Sequence, residues 1–246
     1  MTRMMIGRSV CPLAALMVGT LAPAIAVLPA MAADAPSVFN QVQVEEAEYR
    51  YTDDDEESFN WDAQAWIGGD VNKLALKSEG ELVLDEEELE EAELQALYSR
   101  QISNFFDVVV GGRYDFEPEG EAFGVIGLQG LAPYSYEVDT ALFISEDADV
   151  TARFEAEYEI LVTQKLVLQP SLETNLNFEE VGGSGLGFAF DDVELGLRLR
   201  YEIIREIAPY VGVNWERALG DAADELEDEG ETVDSFAGVA GIRFWF

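Results

Sequence analysis

The residues of this chain that could carry chemistry are carboxylates and little else. Glu155, Glu157 and Glu159 recur at every second position of DVTARFEAEYEILV, so an extended backbone sets all three on one side. Glu173 in LVLQPSLETNLNF and Glu194 in VELGLRLRYEI occupy similar polar faces, and Glu137 and Asp139 repeat the spacing upstream. Carboxylate oxygens suit Ca²⁺ or Mg²⁺ and bind Cu²⁺ or Zn²⁺ acceptably, but they give Cu⁺ no soft ligand. Glu155, Glu157, Glu159, Glu173, Glu194, Glu137 and Asp139 are therefore the candidate metal-facing residues. The same faces carry Lys73, Lys77, Arg113, Arg153, Arg198, Arg200, Glu202 and Arg243. Two readings stay open for this set: a structural ladder of ion pairs, or a cation path with a low-affinity carboxylate metal site.

What the chain lacks narrows the choice. It has no His, and its one Cys (Cys11) and five Met (Met1, Met4, Met5, Met17, Met31) all fall within residues 1–32. That segment has the form of a signal peptide: Arg3 and Arg8, an apolar run from Val10 to Leu28, and a small-x-small site at Ala30-Met31-Ala32. Its cleavage leaves no imidazole, thiol or thioether, which excludes disulfides, Cys or His nucleophiles, and zinc sites with His or Cys ligands. Ser184 lies in the loop-like GGSGLG, not in a nucleophile elbow, so the chain does not read as an enzyme. Fifty acidic residues against 14 basic give a net charge of −36, which argues against a nucleic-acid partner. The runs Asp53–Glu57, Asp85–Glu88 and Asp224–Glu231 lack calcium-loop spacing and read as solvated surface.

The elements that must position these carboxylates are strands. In FAGVAGIRFWF, Phe236, Gly238, Ala240, Ile242, Phe244 and Phe246 share one side. An apolar strand at that position needs its edge covered, and closing a barrel removes the edge. About twelve segments of period two follow from residue 45 onward, many of a length that crosses a membrane as tilted strands. Ten strands is the alternative if the first two segments do not span. Residues 86–97 have high helix propensity, yet Ala92, Leu94, Ala96 and Tyr98 alternate, and we assign a strand. Connections after even segments are tight, whereas those after odd ones are acidic and often longer. The fold class is thus all-β: a transmembrane, antiparallel up-and-down barrel with both termini periplasmic. The expected division is a signal peptide over 1–32, a short periplasmic lead-in over 33–44, and an outer-membrane barrel over 45–246. Outer-membrane lipid and the barrel assembly machinery are its expected partners.

Five stretches then resemble a known family: Gly68–Glu81, Ala92–Phe116, Val125–Phe178, Asp192–Gly220 and Ala237–Phe246. Their order and spacing are similar to the copper resistance protein B family of bacterial outer-membrane proteins. The resemblance implies a role in copper homeostasis or resistance, Cu²⁺ as the metal handled, and a periplasmic multicopper oxidase as a partner. Many members carry a Met- and His-rich segment before the barrel, but Ala33 to Val44 has neither residue type. Any copper bound here falls to Glu and Asp.

Overall fold

Twelve strands follow one another in the computed structural model, which describes residues 37–84, 88–118, 120–180, 186–229 and 232–246. The expected signal peptide, residues 33–36 of the lead-in, Asp85–Glu87 and Ser184 lie outside these residues. The strands are β1 Phe39–Thr52, β2 Glu57–Gly68, β3 Asn72–Val83, β4 Glu88–Gln101, β5 Phe106–Glu117 and β6 Glu121–Ala132. They continue as β7 Tyr136–Ser145, β8 Val150–Glu157 (resuming at Ile160–Leu161), β9 Leu166–Glu180, β10 Leu186–Tyr201, β11 Ile207–Ala218 and β12 Asp234–Trp245. Every strand pairs antiparallel with its successor, and β12 pairs back to β1, so the sheet is closed. At the seam the Val42 N–H donates to the Phe246 carbonyl at 2.9 Å, and the Phe246 N–H donates to the Val42 carbonyl at 2.8 Å. Those two bonds satisfy backbone groups that an open edge would leave unpaired.

Period two explains the two surfaces. Leu74, Leu76, Val110, Ile126, Leu142, Leu195, Leu197, Val211 and Val213 are exposed on the outer face. A continuous apolar belt of this kind is foreign to a soluble monomer and suits lipid. No described helix is long and apolar enough to cross a membrane, so the crossing belongs to the strands. The lumen instead holds buried charge: Glu48, Glu93, Arg153, Arg198 and Arg200 are all buried. On the β4–β7 wall it also holds an apolar cluster of Leu97, Val125 and Phe143.

Four details differ from the sequence expectations. β1 begins at Phe39, ahead of residue 45, because a β-bulge between Val44 and Glu46 interrupts its alternation. β8 is broken at Tyr158 and Glu159, so its row of three glutamates is not continuous. The acidic connections are mostly as tight as the others, since the strands extend into them: only Asp53–Glu56 separates β1 from β2, and Glu146–Asp149 separates β7 from β8. The exception follows β11, where Gly220–Glu229 forms helix α1, favoured by its Ala, Glu and Leu content.

One contact fixes the β2–β3 pairing. Trp61 stands opposite Gly80 in the register, and its Nε1 donates to Ser78 Oγ at 3.3 Å. A Cβ at Gly80 would lie 2.3 Å from the Trp61 ring and 2.6 Å from the Glu91 carbonyl, so the ring rests where a side chain would stand. We expect Gly80→Ala to displace that ring and to destabilise by about 1–3 kcal/mol, as overpacking does. Near-ultraviolet circular dichroism and a urea midpoint would register it; unchanged tryptophan ellipticity would show that the ring does not depend on the glycine.

Candidate functional site

The lumen is organised by eight basic side chains, each within ion-pair distance of a carboxylate. Near the mouth where even-numbered strands turn into their successors, the tight-turn mouth, Lys73 Nζ lies 3.0 Å from Asp107 and Lys77 Nζ lies 2.7 Å from Asp139. Deeper in, two buried glutamates are each gripped by two arginines. Glu48 meets Arg198 Nε at 2.8 Å and Arg50 Nε at 2.9 Å. Glu93 meets Arg113 Nε at 2.9 Å and Arg153 Nη2 at 3.2 Å. Arg153 also reaches Glu79 at 2.6 Å and Glu173 at 3.4 Å, which ties β8 across the lumen to β3 and β4. Phe143 lies under both Arg113 and Arg153, with ring-to-guanidinium distances of 4.8 and 5.7 Å. Five of these charged groups, Glu48, Arg50, Glu79, Glu93 and Asp107, are absent from the sequence-derived set. The bulge concealed the first two, and the helix-like composition of residues 86–97 concealed Glu93. Glu79 was legible, because it shares the parity of Lys73 and Lys77.

The candidate carboxylates fall into two neighbouring rows and one outlier. Hydrogen-bond register places Asp107 opposite Gln129, Gln129 opposite Asp139, and Asp139 opposite Glu155. Glu155 then faces Glu173, Glu173 faces Glu194, and Glu194 faces Glu216. Asp107 is near the start of β5 at the tight-turn mouth, whereas Glu216 is near the end of β11 at the opposite mouth. The tilt of barrel strands makes such a row climb as it passes from strand to strand. A staircase of acids therefore runs along one wall from mouth to mouth. Glu137 and Glu157 face each other in the adjacent row, and Glu157 accepts from Gln169 Nε2 at 2.7 Å. Glu159 stands apart: it pairs with Arg200 and with Arg243 at the tight-turn mouth. The three successive glutamates of β8 thus do not form one site.

Two cavities of about 460 and 300 Å³ occupy the lumen. Asp107, Asp139 and Lys77 line the larger one, and Glu173, Glu194 and Glu216 line the smaller. Glu46, Asp62, Glu155, Glu157 and Arg198 line both, and so mark the neck between them. Like charges directly opposed on neighbouring strands repel. The row is stabilised by Lys73, Lys77, Arg153 and Arg50, the last lying 3.4 Å from Glu194. Glu155 is the step of the staircase shared by both cavities, and among the described residues no ion pair occupies it. Nor is any group of three or more His, Cys, Asp or Glu among those residues arranged to hold a metal ion. The donor set is oxygen only, spread along a wall and interleaved with cations. It fits weak, exchangeable contact with Cu²⁺ and does not fit a resident copper centre or Cu⁺.

Comparison with known proteins bears on the whole barrel. A family profile described as "Copper resistance protein B precursor (CopB)" matches residues 38–246. Copper resistance protein B of Escherichia coli is 41% identical over 194 residues, covering 78% of this chain and 65% of that protein. A homolog from Pseudomonas syringae pv. tomato is 42% identical over 187 residues, covering 76% of this chain and 63% of its own length. The matched region therefore spans less than two-thirds of either relative. Among solved structures the NanC porin superposes with a TM-score of 0.53 at 10% identity, covering 82% of this chain and 98% of the porin. That likeness speaks to the barrel fold alone.

Proposed function

Because this chain belongs to the copper resistance protein B family of outer-membrane β-barrel proteins, we propose that it serves copper resistance as a non-enzymatic, cation-conducting barrel without a dedicated copper centre. The observation that supports this reading is the carboxylate staircase, which passes through both lumenal cavities. An acidic wall in a narrow, partly desolvated lumen attracts cations and repels anions. Neighbouring Lys and Arg side chains keep each contact weak, so an ion is released as readily as it is held. Cu²⁺ is then cargo, one small cation among others. We orient the barrel with its tight turns and both termini in the periplasm and its acidic connections and α1 outside, in keeping with other outer-membrane barrels. A periplasmic multicopper oxidase as partner rests on the resemblance alone.

Reversal potentials of the purified barrel in planar bilayers, under a KCl gradient and then with CuCl₂ on one side, test this reading. We expect cation preference, with Cu²⁺ and Ca²⁺ carrying current to similar extents. Anion preference would overturn it. A saturable Cu²⁺ block at micromolar concentration would replace it with a specific copper site.

A further inference from the structure

The outer face carries a feature that the lumen does not explain. Near the tight-turn end, β1 to β5 enclose an apolar groove of about 660 Å³ on the lipid-facing surface. Its floor is low at Ala65 and Ala96, the register neighbours of Leu76, and its flank rises at Ile67, Leu74, Tyr98 and Val110. The low floor continues along the same register row to Gly112 and Gly124. Barrel packing does not demand glycine at either position: a Cβ would meet nothing closer than 3.6 Å at Gly112 or 3.9 Å at Gly124. Gly111 on the neighbouring face differs, since a Cβ there would lie 2.0 Å from the Ala96 carbonyl.

A cation stands at the rim of this groove. Arg100 follows Tyr98 on the same outward face of β4, is exposed, and has no ion pair among the described residues. Its register neighbour Asn72 is already engaged, accepting the Tyr98 hydroxyl at 2.6 Å. In a chain of net charge −36, whose lumenal basic groups are all paired, an unpaired arginine at the membrane boundary calls for an anion. We propose that β1–β5 seat one anionic diacyl phospholipid, with an acyl chain in the groove and its phosphate on Arg100. The volume lies within the range of ligand sites, and arginine's planar fork suits a phosphodiester. A second copy of the chain is a poorer occupant, because a two-fold contact would present the same groove, whose lining holds no carboxylate to meet Arg100.

Native mass spectrometry tests the proposal on barrel extracted from vesicles of equimolar phosphatidylglycerol and phosphatidylcholine. Heat-modifiable gel mobility verifies that each variant is folded. Wild type should retain phosphatidylglycerol about fivefold over phosphatidylcholine, the preference one basic residue gives at an anionic surface. Arg100→Ala should retain both lipids equally, and Ala96→Trp, which fills the groove, should retain neither. Should Ala96→Trp not fold, Gly112→Leu obstructs the same groove at a position with room for a side chain. Equal retention of the two lipids by wild type would overturn the proposal, as would full retention by a filled groove. A homodimer that the filling variants dissolve would assign the groove to a second copy instead.

Discussion

Replacing Arg198 with alanine is expected to lower the unfolding free energy of the barrel by about 3–5 kcal/mol, the range for breaking a buried ion pair from one side. Glu48 is 0% exposed and takes two bonds from this guanidinium, from Nε at 2.8 Å and Nη2 at 3.2 Å. Glu46 takes a third contact at 2.8 Å. Without Arg198 both carboxylates must share Arg50, which lies 2.9 Å from Glu48 but 3.6 Å from Glu46. Arg198→Lys should recover only part of the loss, since an ammonium lacks the planar fork that holds Glu48. The internal comparison is Arg217→Ala, whose partner Asp234 lies 3.0 Å away in an exposed pair at the far end of β11. That change should cost under about 1 kcal/mol. Urea titrations in lipid vesicles would separate the two through their midpoints, provided the slopes agree. Equal losses for Arg198→Ala and Arg217→Ala would mean that water enters the lumen freely enough to screen the buried network.

Glu155→Lys should reduce cation-over-anion permeability on the order of tenfold, because it places a fixed cation at the neck where little water screens it. Glu155 sits at the step where the staircase passes from one cavity to the other. Glu155→Gln should produce an intermediate change in reversal potential. Glu159→Gln should change it far less, since Glu159 is committed to Arg200 and Arg243 at the mouth. Should Glu159→Gln shift selectivity as much as Glu155→Gln, the mouth and not the staircase would govern the current. Copper sensitivity of cells carrying Glu155→Lys then links the path to resistance.

The barrel itself was legible because its cause is local. A period of two with apolar side chains on one face can be read wherever the alternation is unbroken, and β9, β11, β12 and β10 from Val193 onward are of that kind. β1 was only half legible: after the bulge, Glu45 and Glu46 both line the lumen, so the period reverses and the segment looks irregular. The staircase was not legible at all, although most of its members were named. Neighbours along a strand are given by sequence, but neighbours across strands depend on register, which turn geometry and bulges set together. Glu155, Glu157 and Glu159 therefore appeared to belong together, while the actual companions of Glu155 are Asp139 and Glu173. Helix α1 shows the reverse limit. Its acidic composition was read as solvated surface, although the same Ala, Glu and Leu residues favour a helix.

The staircase has a consequence for how an ion would travel. Its steps are separated by the spacing of adjacent strands, about 5 Å, and all are oxygen donors of similar strength. Such a route has no single lock: neutralising one step lengthens a hop and leaves the remainder usable. An ion on it keeps most of its water, because no step offers enough ligands to replace a hydration shell. Discrimination between divalent ions would then follow how quickly each exchanges its water and not how well each fits a cage, so slow-exchanging Mg²⁺ would lag behind Ca²⁺ and Cu²⁺.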